Sequence, residues 1–336
     1  MKTTCLSIIA ILFSTFFLKA QDPHFSQFFS SPLTLNPALT GKFDGTLRVA
    51  GNYRNQWPAF NNVFTTSTLS VDFPILKSKL PENDTWGVGI LALTDKAAGG
   101  ILTNNYVGLS TSYHKALDED GYSQIGIGFQ ATYGQKRLDP TKLTFEDQLT
   151  PFGFTGVTSD IFTSDNLNIN YMDVNAGLLY TGSTNENNNF YVGASMYHIN
   201  RPKESFKGGN WNVSARTTIS AGGYTPISDI LTLHASGIYQ LQAQASETTV
   251  GAAVSASLDQ SGATNPGNIY AGAWIRVKDA IIPYLALEFA GMRIGASYDI
   301  NTSSLKSGSQ SRGGVELSLI YIKRKPDSKG VPCPKF

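Results

Sequence analysis

Apolar and polar residues alternate along most of the chain. In 123–135, SQIGIGFQATYGQ, the oily or aromatic positions are Ile125, Ile127, Phe129, Ala131 and Tyr133. Between them stand Gln124, Gly126, Gly128, Gln130, Thr132 and Gly134. A period of two marks a strand whose two faces meet different surroundings. The same alternation predicts fourteen strands, at 46–57, 64–73, 85–93, 105–114, 123–135, 170–180, 189–198, 210–222, 230–240, 248–258, 268–276, 281–290, 292–300 and 313–322. In 46–57 the oily set is Leu47, Val49, Tyr53 and Trp57, against Arg48, Asn52, Arg54 and Gln56. In 210–222 it is Trp211, Val213, Ala215 and Ile219, against Asn212, Ser214, Arg216, Thr218 and Ser220. No stretch beyond residue 20 carries a helical period.

The second face selects the architecture. A soluble sandwich buries one face and shows Lys and Glu on the other. Here the second face is glycine, glutamine and threonine, with few charges. Charged residues are 15% of the chain, below the roughly 25% of soluble domains, yet mean hydropathy is −0.12, too polar for a helical membrane protein. An oily face toward lipid and a glycine-rich face toward a narrow lumen explain both. Lipid cannot satisfy backbone groups, so spanning strands must close on themselves. Spanning strands need about 9–11 residues, and bacterial outer-membrane barrels have even strand numbers. The fold expected is all-β: a transmembrane outer-membrane β-barrel of about 14 antiparallel strands. A secreted two-sheet or repeat protein is the competing reading.

Residues 1–20, MKTTCLSIIAILFSTFFLKA, have a basic start at Lys2, an apolar run Leu6 to Leu18 and a small residue at Ala20. They read as a signal peptide, the run being shorter than the roughly 20 residues of a spanning helix. Without them the chain has 24 basic and 25 acidic residues, no field to recruit nucleic acid. Cys333 alone can form neither an internal disulfide nor a cysteine zinc site. The organisation expected is a signal peptide at 1–20, an N-terminal periplasmic or lumenal segment at 21–44, the barrel at 45–322 and a basic tail at 323–336. KRKPDSK (323–329) is either a solvated exit or a docking tail for a periplasmic partner. With an even strand count both termini are expected on the periplasmic side, and the gaps after odd-numbered strands face outward.

The most distinctive non-strand stretch is 22-DPHFSQFFSSPLTLNPALTG-41. Phe25, Phe28, Phe29 and Leu35 suit a segment packed on or inside the barrel better than a solvated lead-in. This stretch resembles the PorP/SprF family of type IX secretion system outer-membrane proteins. The resemblance is carried by DPHFSQFF, NPALTG (36–41), YRNQWP (53–58), FTTSTLSVDFPI (64–75), GGVELSLIY (313–321) and CPKF (333–336), and it covers essentially the whole mature chain. Its motif residues, structural in kind, are Asp22, Pro23, Asn36, Pro37, Gly41, Tyr53, Arg54, Gln56 and Trp57. One departure is Ser30-Ser31 before Pro32, where the family pattern has asparagine. The resemblance implies a role in type IX secretion or gliding. Its partners would be outer-membrane lipid, a secreted cargo protein with a type IX C-terminal domain, and periplasmic components of the machinery.

Catalytic signatures are missing: no Gly-x-Ser-x-Gly, His-Glu-x-x-His or Walker loop occurs. His24, His114, His198 and His234 are scattered, and Asp118, Asp120 and Gly121 make an incomplete calcium-loop spacing that reads as a polar turn. No enzyme, metal or cofactor is expected. Two tasks remain, a binding platform or a transport pore for small solutes; a 22–41 segment lodged inside would block the pore. The longest gap, 136–169, carries Phe145, Phe152, Phe154 and Phe162 as a candidate partner-binding loop. The strands at 281–290 and 292–300 predict a hairpin around Ala290-Gly291. Its register sets Phe289 opposite Met292, and Glu288 opposite Arg293 as an inward-facing ion pair near a wet opening.

Overall fold

The computed structural model describes residues 21–60, 63–162, 167–185, 187–206, 209–258 and 267–324. Residues 1–20, expected as a signal peptide, most of the expected basic tail and Cys333 lie outside the described residues. Fourteen antiparallel strands close into one barrel: β1 Leu47–Gln56, β2 Phe64–Ile75, β3 Thr85–Ala97, β4 Leu102–Ala116, β5 Ser123–Leu138, β6 Asn168–Gly182, β7 Asn189–Tyr197, β8 Arg216–Pro226, β9 Leu231–Gln242, β10 Ala245–Ser257, β11 Asn268–Arg276, β12 Ala280–Phe289, β13 Met292–Asn301 and β14 Arg312–Lys323. Each strand pairs with its sequence neighbours, and β1 pairs with β14 from Leu47 opposite Lys323 to Gln56 opposite Gly314.

The faces are inverted relative to a soluble sheet. In β5, Ile125, Ile127, Phe129 and Tyr133 are exposed on the outside, while Gln124, Gly126, Gly128, Gln130, Thr132 and Gly134 are buried toward the lumen. The outward face therefore presents the apolar band that lipid requires. Among the described residues no helix is long and apolar enough to cross a membrane.

All fourteen expected strands exist, in order, and the differences are at their ends. β8 starts at Arg216 rather than 210, because its partner β7 stops at Tyr197 and pairing begins there. The alternation of Trp211 and Val213 runs on into a loop held by a single bridge, Lys203 with Asn212, and Trp211 is exposed. Residues 241–247, expected as a loop, narrow to a two-residue turn, Ala243-Gln244, with both φ positive. At the β12–β13 hairpin Ala290 as well as Gly291 has positive φ, the pattern of a type I′ turn. The register there is the expected one, with Phe289 opposite Met292 and Leu287 opposite Ile294.

The connections after odd-numbered strands define one end, which includes the long 139–167 connection; those after even-numbered strands define the other. Below these are the loop end and the turn end. Long loops face the cell exterior in bacterial barrels.

Candidate functional site

The lumen is occupied by residues 22–43. Phe25, Phe28, Phe29, Leu33, Leu35, Ala38, Leu39 and Phe43 are all buried. The segment runs from the loop end to the turn end. Asp22 meets Arg216, His198 and Gln242, all at the loop end of their strands. The Gly41 amide donates to Asp72 Oδ2 (2.7 Å) and the Lys42 ammonium to Gln124 Oε1, near the turn end. The two ends of the barrel wall, Leu47 and Lys323, lie together at the turn end, as the even strand count requires, whereas Asp22 lies at the loop end. The chain first passes down the lumen and only then enters β1.

Local sequence explains how the segment holds its shape. Pro32 opens a one-turn helix, Pro32–Leu35, and Pro37 opens a 3₁₀ turn, Pro37–Leu39, positions where the missing N–H costs nothing. Asn36 caps the second, its Oδ1 accepting from the Ala38 amide (2.8 Å), while its Nδ2 donates to Leu178 O on the barrel wall (2.9 Å). Buried polar groups need partners, and the wall supplies them. Glu316 accepts the amides of Ser26 and Gln27 (2.7 and 2.9 Å). Ser26 Oγ donates to Asp299 Oδ1 (2.7 Å) and accepts from Arg276 Nη2 (2.6 Å). Arg48 forms a bidentate pair with Asp72 and also donates to Leu39 O (2.8 Å). Phe29 packs against the rings of Trp274 and Tyr284.

The glycine face of the strands is the complement of this segment. A Cβ on Gly128 would stand 2.5 Å from Ala38 Cα, and one on Gly87 would stand 2.7 Å from the Thr40 carbonyl carbon. One on Gly177 would strike the Asn36 amide. NPALTG thus lies in a track that only glycine leaves open. Among the described residues, small cavities lie beside it, among them one of about 60 Å³ next to Asp22 and His198 and one of about 40 Å³ next to Phe29 and Trp274.

At the loop end the segment is tied by charge. His198 lies between two carboxylates, Nε2 2.7 Å from Asp22 Oδ2 and Nδ1 3.0 Å from Asp173 Oδ2. Burial pushes its pKa down, but the two carboxylates outweigh this and raise it to about 9. Burial pushes Asp22 up, yet the His198 and Arg216 charges hold it well below the usual carboxylate range. His198 is thus a lumenal histidine with a partner from the segment. Its scattered position gave no sign of this, since it depends on a contact 176 residues away.

The other family-motif residues divide between the two faces. Arg54 points inward, pairing with Asp299 (2.9 Å) and donating to His24 O (2.7 Å). Tyr53 points outward and is exposed. Gln56 closes β1, and Trp57, at positive φ, packs on Phe64. Pro23 lines the cavity beside Asp22. Glu288 and Arg293 stand opposite each other, with Arg293 Nη2 2.6 Å from Glu288 Oε2. The pair is less wet than expected, at 11% and 12% side-chain exposure, because Tyr270 covers it: its hydroxyl donates to Glu288 (2.7 Å) and its ring lies 4.4 Å from the Arg293 guanidinium.

The aromatics of the long loop are not gathered into a core. Phe145 and Phe162 stack at 5.2 Å, but Phe152 is fully exposed, at 101%, and Phe154, Val157 and Ile161 are also exposed. A two-rung ladder, Leu149–Thr150 with Gly153–Phe154, shapes the tip. Asp147 fastens its base by accepting from Thr158 and Ser159. Among the described residues no cluster of His, Cys, Asp or Glu could hold a metal ion.

Among solved structures the chain is similar to the Ralstonia pickettii toluene transporter TbuX, with 9% identity and a TM-score of 0.47 over 88% of this chain and 93% of that one. It is also similar to a Pseudomonas aeruginosa FadL homologue, with 11% identity and a TM-score of 0.46 over 85% and 92%. No curated protein matches it. The family described as type IX secretion system membrane protein PorP/SprF matches residues 17–321. With that match spanning nearly the whole barrel and its lumenal segment, the chain belongs to the PorP/SprF family of type IX secretion system outer-membrane proteins.

Proposed function

We propose that the barrel is a non-catalytic docking platform of the type IX machinery rather than a solute pore. Its loop end holds a secreted cargo protein through that cargo's C-terminal domain and so keeps it on the cell surface, and its turn end meets periplasmic components. The observation that carries this reading is the packed segment 22–43, fixed to the wall by Glu316, Asp299, Arg48 and the glycine track. A barrel of eight strands is filled by side chains and one of 16–18 leaves a channel; here a segment of the chain itself takes up the intermediate lumen. Exposed Phe152, Phe154 and Ile161 support the docking role, because interfaces are enriched in aromatics at their centre.

The test replaces 144–161 by a short Gly-Ser linker, which touches no strand of the barrel. The barrel should assemble with normal heat-dependent gel mobility, and the amount of type IX cargo retained on the cell surface should fall several-fold. Parental retention of every cargo by a correctly assembled variant would remove the loop from the docking site.

A further inference from the structure

On five adjacent strands, β2 to β6, the outward face changes character toward the loop end. One register row is apolar: Leu69, Ala92, Val107, Tyr133 and Met172. The next row is Ser67, Thr94, Asn105, Gln135 and Asn170, and the row after it is Thr65, Lys96, Thr103, Arg137 and Asn168. These rows lie about 7 Å apart along the strands, two residues per step. On the opposite side, among the described residues, Ile275, Ile281 and Ile300 carry the apolar face to the ends of β11, β12 and β13, and polar outward residues, Thr248 and Ser246, follow Val250 in β10.

Three cations sit at this polar patch. Lys96 and Arg137 point outward and are exposed. Lys142, from the one-turn 3₁₀ helix that follows β5, leans back over it; Lys142 Nζ and Lys96 Cδ both lie within 4.0 Å of where a Gly100 Cβ would be. Among the described residues none of the three is in an ion pair; the Lys142 ammonium makes long hydrogen bonds to the Gly99 and Gly100 carbonyls (3.3 and 3.4 Å), which a phosphate would replace. The nearby carboxylate is Asp139, which is engaged by the Thr141 hydroxyl (2.6 Å). Its pKa is lowered, first by that hydrogen bond and less by the charges of Lys142 and Arg137.

We propose that this patch seats the phosphorylated sugar headgroup of an outer-leaflet glycolipid. Lys96, Arg137 and Lys142 take the phosphate, and Thr94, Thr103 and Gln135 meet the sugar hydroxyls. Two features select a lipid over a soluble anion. The patch continues directly from the apolar row of Val107, Tyr133 and Met172, where acyl chains lie, and its cations stand one headgroup above that row. Basic residues near a charged leaflet attract anionic lipid at about 1 kcal/mol each, and guanidinium adds a planar fork for phosphate.

The test uses the full-length purified barrel in detergent, with bisphosphorylated lipid A as the probe and native mass spectrometry as the readout. Lipid A should remain bound to the parent. Binding should weaken about tenfold to a hundredfold in K96Q/R137Q/K142Q, stay near parental in K96R/R137K/K142R, and be unchanged in K278Q/K306Q, which removes loop-end cations on the far side. Dephosphorylated lipid A should bind no better to the parent than to the triple glutamine variant. Equal retention of lipid A by the parent and the triple glutamine variant, when both show normal heat-dependent mobility, overturns the site. Equal binding of phosphatidylglycerol overturns the glycolipid assignment, because it shows a site for any lipid phosphate.

Discussion

Ala38 lies directly over Gly128, so close that a Cβ on the glycine would stand 2.5 Å from the Ala38 Cα. Gly177 stands in the same relation to Asn36. The obstacle in both cases belongs to the motif NPALTG, and at Gly128 it is backbone, which cannot swing aside like a side chain. Gly128→Val and Gly177→Val should therefore each destabilise the barrel by about 1–3 kcal/mol or more, the range for overpacking. Gly156→Val, in the loop with nothing within 4 Å, should be neutral within about 0.5 kcal/mol. The temperature at which gel mobility shifts, together with urea unfolding in detergent, measures the three.

The contact of Asp22 with His198 predicts a pH dependence with a definite sign. His198 is raised from its ordinary value of 6.5 to about 9. Its share of the tie is fully present below about pH 6.5 and is lost as pH rises through 9. Asp22 is shifted down, so its share is present above the ordinary carboxylate range and lost as pH falls below it. The segment should be held best between about pH 4 and 6.5. On passing to pH 10 the barrel should lose on the order of 2–3 kcal/mol, and protease should cut near residue 22 more readily. His198→Gln should flatten this alkaline limb. An alkaline limb of equal size in His198→Gln would sink the assignment.

Much of this fold is legible in the sequence because lipid imposes a rule on every second residue. Ile125 to Tyr133 and Leu285 to Phe289 have to be oily whatever their neighbours are, so strand count, face and hairpin register can be read locally. Boundaries are less legible. Trp211 and Val213 keep the alternation going ahead of Arg216, the first residue of β8 that pairs with a neighbouring barrel strand. The lumen is least legible, because its contacts are long-range. The pattern shows that Gly128 and Gly177 face a narrow space, but not that Ala38 and Asn36 fill it. It gives Arg54 and Asp22 as motif residues without their partners Asp299 and His198.

Glu288 and Arg293 offer a measure of what a half-covered lumenal pair contributes. Tyr270 shields both partners, donating to the carboxylate and lying under the guanidinium. Arg293→Met alone leaves Glu288 buried with less compensation and should cost about 2–3 kcal/mol, less than the roughly 3–5 kcal/mol of a fully buried broken pair. Arg293→Met combined with Glu288→Gln should recover part of this, giving a coupling of about 1–2 kcal/mol in the double-mutant cycle. Additivity of the two single effects would show that the pair is screened like a surface pair.

The platform reading makes one demand on conductance. Residues 22–43 occupy the lumen, and two cavities beside them, about 60 and 40 Å³, hold only a few water molecules each. The parental barrel in a planar bilayer should therefore be electrically silent. A chain lacking residues 22–39 keeps every strand and loses the occupant, so it should conduct, fourteen strands lying between filled eight-stranded barrels and open barrels of 16–18. Loosening the segment at its loop-end tie, with Asp22→Asn and Arg216→Gln, removes two charges but no packed ring and should give brief, intermittent openings. Steady conductance by the parent equal to that of the deletion would mean that the segment does not block the lumen, and the barrel would then be read as a transport pore.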